Sequence, residues 1–527
     1  MSAIITDQIR ILNSKSFIDS IKTGKSNLYT FIGLPNSSEY SVDWDSNPPS
    51  PKDSFNDEND YWDTMISLKK VNPDSDIRNV IRKVVWDSGS SYDMYRHDIT
   101  RNNLSIPSQK TSLYQSNYYI LTKDYRVYIC LNNGATQENS FEALPSLVEP
   151  TFIDLEPKLL EDGYTWKYLY TLKVEDVIKF DSLNFIPVPS DWTTAAEYQA
   201  IRLNAQTSGQ IKVATITDAG ENLGRSKVYS NLSILGDGTG GEVSIVVGNE
   251  QKVISVFVTK GGSGYTYGTI DLSTISFPEN STPPQFNVII PPKGGHGFDI
   301  YNELGAYNVL IYSRFENDTT NPDFITGNQI ARIGIVNNPL AFGSTIILNR
   351  DRASATYALK LVGTTNRNDY VGANIIPDST FTQTIGAGVT AVGRVISYDN
   401  RTGILKYWQD KSLYGFNLNG EFNENGSVKP KNIPQYGYKK IPFSASVGAS
   451  GSININGLPV SLKIDTAFTG ITTVINNVTY NLGQTFTSGV SNPEVKPKSG
   501  DIIYVDNRPS ITRSPEQRED VKVILQF

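Results

Sequence analysis

The sequence predicts a mainly β fold with a few α-helices, arranged as a multidomain, two-layer, β-sandwich-like core with small inserted β modules. Composition is the first observation behind this prediction: the chain has 29 Tyr and 41 Gly, and only 19% of its residues are charged. Tyrosine suits a half-buried pleated surface, and glycine and asparagine supply the positive φ angles of tight turns. Length is the second observation. At about 150 residues per domain, 527 residues predict two to four domains.

Apolar periodicity predicts the N-terminal elements. A helix is expected over residues 4–21, with Gly24 as its end. A short strand over 28–34 follows, and after a proline-rich loop a second helix is expected over 58–71, because acidic residues at its start suit the positive end of a helix dipole. Four apolar residues of the first helix are expected near one face: Ile5, Ile9, Leu12 and Ile21.

Alternating apolar and aromatic residues predict strands in the rest of the chain. Residues 116–131 predict a hairpin, since Lys123 and Asp124 lie between two alternating runs. A strand over 162–172 is expected to place four aromatic side chains on one face: Tyr164, Trp166, Tyr168 and Tyr170. The other predicted strands are 81–86, 391–399, 403–408, 452–464 with an Asn456-Gly457 hairpin turn, 502–505 and 521–527.

Composition also divides the chain into segments. Residues 205–290 are rich in Gly, Thr, Ser and Val, and residues 216–223 resemble residues 258–265 as a weak internal repeat. We interpret this stretch as an inserted module that folds on its own; the alternative is two unrelated Thr/Gly-rich hairpins. The predicted segments are an N-terminal β-rich region with its helix (1–204), the inserted β module (205–293), a second core segment (294–364), an inserted β-rich region (365–499) and C-terminal strands that close the core (500–527).

Charge and residue usage exclude several classes of function. A net charge of −7 gives no overall electrostatic attraction to nucleic acid or to an anionic membrane. One cysteine, Cys130, excludes an intrachain disulfide and a cysteine-cluster zinc site, and two distant histidines, His97 and His296, exclude a His-rich metal site. No apolar run approaches about 18 residues. We therefore expect no membrane insertion. Asp7 and Arg10 interrupt the apolar residues at the N-terminus, so we expect no signal peptide either, and we predict no cofactor.

Three glycine motifs have the outline of a phosphate or oxyanion loop. Residues 236–241 match G-x-G-x-x-G, but a predicted strand follows in place of the helix that a pyrophosphate requires. Residues 24–26 end like a P-loop that lacks its first glycine, and no G-x-S-x-G motif accompanies residues 294–297. We interpret the three as a hairpin turn, a helix end and a turn between segments.

Acidic residues are the remaining candidates for chemistry. The cluster that begins at Asp57 lacks EF-hand spacing, so we favour a solvated loop or helix N-terminus there and leave ion binding open. His97 is interpreted as a surface or interface residue. Glu161 and Asp162 could belong to a glycosidase pair, with the tyrosine-rich strand as a sugar platform, but we favour packing of that strand on a core or a partner. The chain is therefore predicted not to be an enzyme.

Three stretches are similar to a known family. The first is Asp162-Gly163-Tyr164-x-Trp166-x-Tyr168-Leu169. The second is Gly327-Asn328 followed by residues 333–340, which include Asn338-Pro339, and the third is Asn507-Arg508-Pro509 followed by a terminal apolar strand. In this order they resemble the baseplate wedge subunit family of T-even-type contractile-tailed phages, specifically the dimeric wedge protein. In that family the third stretch is an acidic-Asn-Arg-Pro turn.

The resemblance covers roughly residues 1–200, 294–350 and 500–527, and the chain exceeds the family's length at 205–290 and 365–495. It implies a structural subunit that forms a homodimer, joins other wedge proteins and moves with them when the tail sheath contracts. It also implies assembly in the host cytoplasm and a place in the virion, in the tail baseplate. The motif residues would then be core or interface residues: Asp162, Gly163, Tyr164, Trp166, Tyr168, Asn328, Asn338, Pro339, Asn507, Arg508 and Pro509.

Two other functions share this composition. A tail fibre or tailspike would form trimers and usually carries regular β-helical repeats, whereas this sequence shows only one two-copy repeat. A glycan-binding adhesin would bind oligosaccharides as an isolated chain.

Overall fold

The computed structural model confirms the predicted fold class. It describes residues 4–36, 44–135, 142–205, 210–316, 329–363, 375–386, 389–409, 423–424, 427–428, 442–444, 452–455, 462–512, 514 and 517–527. Strands form 43% of the chain and helices 11%, so the protein is mainly β, and its several sheets include a small barrel. The helices in the described residues are α1 (Asp7–Lys22), α2 (Phe55–Thr64), α3 (Val174–Phe180), α4 (Gln199–Ala205) and α5 (Ile300–Glu303).

The strands fall along the whole chain. Those of the first 300 residues are β1 (Leu28–Gly33), β2 (Met65–Lys70), β3 (Ile77–Arg82), β4 (Tyr119–Leu121), β5 (Arg126–Asn132), β6 (Lys158–Leu159), β7 (Thr165–Thr171), β8 (Phe185–Pro187), β9 (Val213–Asp218), β10 (Val228–Gly236), β11 (Thr239–Val247), β12 (Val253–Ser263), β13 (Gly268–Ile270) and β14 (Gln285–Ile289). Those that follow are β15 (Asn308–Glu316), β16 (Gln329–Asn337), β17 (Arg352–Ser354), β18 (Tyr357–Gly363), β19 (Thr380–Gly386), β20 (Val389–Asp399), β21 (Ile404–Trp408), β22 (Asn423–Glu424), β23 (Ser427–Val428), β24 (Ser452–Ile455), β25 (Leu462–Ile464), β26 (Gly470–Ile475), β27 (Val478–Phe486), β28 (Val490–Ser491), β29 (Asp501–Thr512) and β30 (Arg518–Gln526).

Contacts divide the chain into two compact units. Unit 1 comprises residues 1–18, 77–310 and 523–527, and unit 2 comprises residues 19–76 and 311–522. The five segments inferred from composition are a different division of the chain, and they stay a prediction.

The main core of unit 1 is aromatic. Its central sheet has the order β4-β5-β7-β6, and β3 pairs with β8 beside it. The predicted hairpin over 116–131 is confirmed as β4 and β5, which pair antiparallel. The strand predicted over 162–172 is confirmed as β7, and Tyr164, Trp166 and Tyr170 are buried in a core that takes in Ile81 of β3 and Ile186 of β8. Two sheets therefore supply this core. The expected single aromatic face is wrong, because Lys167 and Leu169 are buried as well, Tyr168 is half-buried, and the pairing with β5 shifts register between Tyr168 and Tyr170.

Residues 210–290 have a hydrophobic core of their own. The sheet order is β12-β11-β10-β13, and β9 pairs with β14. The two copies of the repeat share a conformation at matched positions: Gly220 and Gly262 have φ angles of 69° and 63°, and Leu223 and Tyr265 are buried. The glycine motif at 236–241 is a hairpin turn between β10 and β11, as predicted.

Unit 2 is built on two larger sheets. A five-stranded sheet has the order β17-β2-β1-β16-β29, and all six residues of β1 are buried in it. A seven-stranded sheet, β21-β20-β19-β24-β25-β18-β28, closes into the small barrel because β18 also pairs with β21. β26 and β27 form a separate antiparallel hairpin. The predicted strands at 391–399 and 403–408 are confirmed as β20 and β21, and the predicted Asn456-Gly457 turn lies outside the described residues.

Two predicted elements have wrong bounds. The helix predicted over 58–71 ends at Thr64, and the following residues form β2, because β1 and β17 pair with them on either side. The strand predicted over 81–86 is β3, which ends at Arg82. Beyond it the backbone leaves the sheet, and Trp86 N instead donates to Leu121 O at 2.9 Å. Sheet partners, which are distant in sequence, outweigh local preference in both places.

The N-terminal helix also differs from its prediction. α1 buries Ile11, Ser14 and Ile18, whereas three residues of the predicted face are exposed, namely Ile5 (68%), Ile9 (50%) and Leu12 (59%). Ile5 precedes α1. At about 100° per residue, Ile9 and Leu12 lie on nearly the opposite side of the helix from the buried stripe. Ile21, which is buried, belongs to the buried stripe. The apolar residues of the N-terminal helix therefore lie on two faces, one buried and one exposed, and not on the single face that was expected.

The C-terminal strands are confirmed, and both are longer than predicted. β29 pairs with β16, and β30 pairs with β15. Within unit 1, the ring of Phe527 contacts the ring of Phe17, with centroids 5.2 Å apart. In the part of the chain that the structure describes, no helix is both long and apolar enough to cross a membrane.

Candidate functional site

The motif at residues 162–168 holds a loop against the central sheet of unit 1. Oδ2 of Asp162 accepts hydrogen bonds from Leu147 N at 2.9 Å, Val148 N at 3.0 Å and Ser146 Oγ at 3.1 Å. Oδ1 accepts from Tyr164 N at 3.2 Å. Both carboxylate oxygens are thus engaged by neighbouring groups, which does not suit a catalytic carboxylate of the glycosidase kind.

Gly163 and Tyr164 continue this arrangement. Gly163 has a φ of 87°, and a Cβ there would lie 3.0 Å from Cδ1 of Leu144. The hydroxyl of Tyr164 donates to Leu144 O at 2.5 Å and accepts from Tyr92 N at 3.0 Å. Burial raises the pKa of this hydroxyl, so it stays protonated.

The two remaining aromatic residues of the motif have different surroundings. Trp166 stacks on Tyr164 with ring centroids 5.4 Å apart and an angle of 11° between the planes. Tyr168 is half-buried, packs edge-on against Tyr128, and shares a hydrogen bond of 2.9 Å with Thr171 Oγ1. Tyr164 and Trp166 are therefore core residues, and Asp162, Gly163 and Tyr168 lie half-buried at the margin of the core.

In unit 2 the Asn-Arg-Pro motif surrounds a buried cation that the sequence analysis missed. Arg332 on β16 is 1% exposed. Its Nε donates to Asn507 Oδ1 at 2.8 Å, and its other nitrogens donate to Asn36 Oδ1 at 3.1 Å and to Thr64 Oγ1. The guanidinium also lies over the ring of Tyr61, 4.8 Å from its centroid. Burial lowers the pKa of Arg332 to about 10.

The predicted turn at this motif is wrong. Asn507, Arg508 and Pro509 lie within β29, the edge strand, where the pairing with β16 shifts register between Ile330 and Arg332. Proline cannot donate to a sheet ladder, and an irregular edge position accommodates it. The strand continues because β16 supplies a partner on one side.

The same motif fixes the loop that precedes α2. Asn507 Nδ2 donates to Pro49 O at 2.9 Å, and Trp44 Nε1 donates to Arg508 O at 2.9 Å. The Arg508 side chain itself is 60% exposed and pairs with its neighbour Asp506. One side chain and one carbonyl of the motif thus hold the loop, and the Arg508 guanidinium stays at the surface.

The second motif joins the end of β16 to the start of β1. Asn338 has a φ of 50°, and its Oδ1 accepts from Asn27 N at 2.8 Å. The carbonyl of Pro339 accepts from Leu348 N at 2.7 Å. Asn328 lies outside the described residues.

The acidic cluster is a helix N-terminus, as predicted. Ser54 caps α2 by accepting from Asp57 N, and Asp57 and Glu58 lie in the first turn. Among the described residues, no group of three or more His, Cys, Asp or Glu side chains is arranged to hold a metal ion.

The two histidines have unequal roles. His97 is at the surface, as predicted, and its Nδ1 accepts from Ile290 N at 3.3 Å. The turn at 294–297 was predicted, but its buried hydrogen bonds were not: His296 Nδ1 lies 2.7 Å from Oε1 of Glu303, and Gly297 N donates to Oε2 at 2.7 Å. In the sequence, the histidine between glycines was the one feature that could have indicated this contact with Glu303.

A groove in the described part of unit 1 has a volume of about 920 Å³. β9, β12 and the segment around Glu156 line it, with Lys212 and Lys260 among its charged residues. Glu156 is the one carboxylate in the described lining, so the pair that glycoside hydrolysis requires is not assembled there.

Comparisons with known proteins give no independent assignment. A scan against protein-family models found no match, and a search of curated proteins found no matching entry.

Proposed function

We propose that this chain is a structural subunit of the baseplate wedge of a contractile phage tail. In this role it pairs with a second copy, binds other wedge proteins in the virion and moves with them when the sheath contracts. The proposal starts from the three motif stretches, which resemble the dimeric wedge protein family in order and in residues.

The proposal depends mainly on one observation: the polar side chains of the motifs form hydrogen bonds to the backbone of other segments. Asn338 and Asn507 bind the backbone of segments 311 and 458 positions away, and Asp162 binds the backbone of a loop 14 positions away. These hydrogen bonds fix the ends of strands and loops, whereas a substrate site would leave polar atoms facing a cleft. Residues that maintain shape are what a subunit transmitting force between neighbours requires.

Exposed apolar surface supports a role in assembly. Ile9 and Leu12 are exposed on α1, and Ile5, just before the helix, is exposed as well. In unit 2 the β26–β27 hairpin exposes Val474 at 61% and Val478 at 48%, and residues 466–493 contain no charged side chain. Contiguous uncharged surface of this kind is typical of sites that contact other proteins.

The solution mass of the purified chain tests the pairing. Light scattering after size exclusion should give about twice 58.3 kDa. A trimer would contradict the proposal and favour the tail fibre or tailspike, and a monomer would contradict pairing of the isolated chain. Binding of the isolated chain to an oligosaccharide array would favour an adhesin.

Electron microscopy tests the location. Antibodies raised against the chain should label the baseplate end of contractile tails purified from the phage that encodes it. Labelling along fibres, or no labelling of tails whose baseplates are exposed, would contradict the proposal.

A further inference from the structure

A buried lysine in the central sheet of unit 1 contacts a side-chain amide. Lys167 on β7 is 1% exposed. Its Nζ donates to the carbonyl of Leu155 and to Oδ1 of Asn204 at 3.0 Å. Among the ion pairs between described residues, none involves Lys167. Burial lowers the pKa of Lys167 to about 8, so the neutral amine, which is the nucleophilic form, is populated near neutral pH.

The amide lies between this amine and a carboxylate. Nδ2 of Asn204 donates to Oε1 of Glu156 at 2.7 Å. Because a carboxylate only accepts, the contact with Glu156 identifies the amide nitrogen, and the end of the amide that faces Lys167 Nζ is therefore the oxygen. The carbonyl carbon of Asn204, Cγ, is thus bonded to Oδ1, which contacts the Lys167 amine, and to Nδ2, which contacts the Glu156 carboxylate.

Glu156 is in the state that accepts a proton. Desolvation raises its pKa, but hydrogen bonds from Asn204 and from Lys212, whose Nζ lies 3.0 Å from Oε2, outweigh this and lower the pKa below its ordinary value. The carboxylate is therefore ionised at neutral pH and lies beside the nitrogen that would leave.

We propose that Lys167 and Asn204 form an intramolecular isopeptide bond. The lone pair of the neutral Lys167 amine attacks Cγ of Asn204; the new N–C bond forms, and the carbonyl π electrons move to Oδ1. Glu156 accepts a proton from the attacking nitrogen and delivers a proton to Nδ2. The C–Nδ2 bond then breaks, the carbonyl re-forms, and ammonia leaves. One amine and one primary amide thus give one secondary amide and one ammonia, with no oxidant or cofactor.

The bond would join two elements at a defined place. Lys167 is in the middle of β7, and Asn204 is in the last turn of α4, next to the start of the segment 205–293. Such a link restricts the unfolded chain as a disulfide does, and does so without cysteine chemistry. It would hold the base of that segment to the central sheet.

The intact mass of the full-length chain tests this inference. The folded protein should be lighter than its sequence mass by one ammonia. A tryptic digest should contain a branched peptide that joins the Lys167 and Asn204 regions, because trypsin does not cleave after an acylated lysine. The sequence mass together with linear peptides from both regions would overturn the proposal.

Variants separate the cross-link from a cyclised asparagine, which also loses ammonia. Asn204→Ala and Lys167→Arg should both restore the sequence mass, and Glu156→Gln should slow or abolish the loss. Lys158→Arg, at a half-exposed lysine of the adjacent strand β6, should leave the loss unchanged. Persistent loss of ammonia in Lys167→Arg would overturn the proposal. If a variant fails to fold, the peptide map of the unmodified sequence decides alone.

Discussion

Arg332 and Asn507 form a hydrogen-bonded pair inside unit 2, with Nε and Oδ1 2.8 Å apart, although 175 positions separate them in the sequence. The guanidinium is buried and its partners are amide, hydroxyl and carbonyl oxygens. When a buried charged group loses one of its hydrogen-bond acceptors, its desolvation is no longer offset, and the folded state is destabilised by that full cost. Asn507 is therefore the motif residue whose side chain matters most for the stability of this unit.

Asn507→Ala should lower the free energy of unfolding by about 1–3 kcal/mol, because Arg332 Nε loses its acceptor. Urea unfolding followed by tryptophan fluorescence measures the change. Arg508→Ala is the matched control, since that guanidinium is 60% exposed and should contribute less than about 1 kcal/mol. Equal effects of the two substitutions would contradict the assigned role of the pair.

Gly163→Ala should destabilise unit 1 for two reasons, a left-handed backbone conformation and a close contact with Leu144. Gly89→Ala shares only the first reason and therefore serves as the control. Gly163 and Gly89 both have φ angles of 87°, but a Cβ at Gly163 would lie 3.0 Å from Leu144 Cδ1, whereas a Cβ at Gly89 would meet nothing within 4 Å. The left-handed backbone alone costs about 1 kcal/mol. Thermal unfolding should therefore show a larger loss for Gly163→Ala than for Gly89→Ala. Equal losses would show that the contact with Leu144 is unimportant.

The sequence predicted the elements whose pattern is local. The hairpin of β4 and β5 and the strand β7 follow from a period of two residues, which needs no partner to be recognised. The single aromatic face expected on β7 does not form, because the pairing with β5 shifts register within the strand. The helix prediction failed after Thr64 because β2 is a strand only by pairing with β1 and β17. The Asn-Arg-Pro motif was expected to be a turn because the resembled family has a turn there, and it is part of a strand because β16, which is far away in sequence, pairs with it.

The candidate sites were less predictable than the fold. Arg332 lies in the apolar run 329–337, and a single cation in such a run is a signal that a buried charge needs partners. Nothing local identifies those partners, since Asn507 and Thr64 come from other parts of the chain. The same holds for Lys167, whose contacts with Leu155 and Asn204 exist only after β7 and α4 have packed together.

Deleting residues 521–527 should destabilise the fold because it removes most of β30. Val521 and Val523 are 5% and 4% exposed, and the deletion also removes the Phe527 ring from its contact with Phe17. Each lost buried valine side chain alone is worth about 1.5–3 kcal/mol. Thermal unfolding by circular dichroism should show a clear decrease in the melting temperature. Phe527→Ala tests the ring contact separately and should cause a smaller decrease. An unchanged melting temperature after the deletion would contradict the assignment of β30 as a core strand.

Stability should also fall at alkaline pH, and Tyr29 provides a specific test. Its hydroxyl donates to Leu348 O and Arg350 O, both at 2.9 Å, and burial raises its pKa to about 12. A raised pKa means that the folded state holds the proton more tightly than the unfolded state. This contribution is complete below pH 10, the ordinary tyrosine value, and is lost as pH rises towards 12. The free energy of unfolding should therefore decrease across that interval. Tyr29→Phe should be less stable at pH 8 but should show a shallower decrease, because one titrating group is removed. A slope identical to that of the unmodified chain would show that Tyr29 does not titrate differently in the two states.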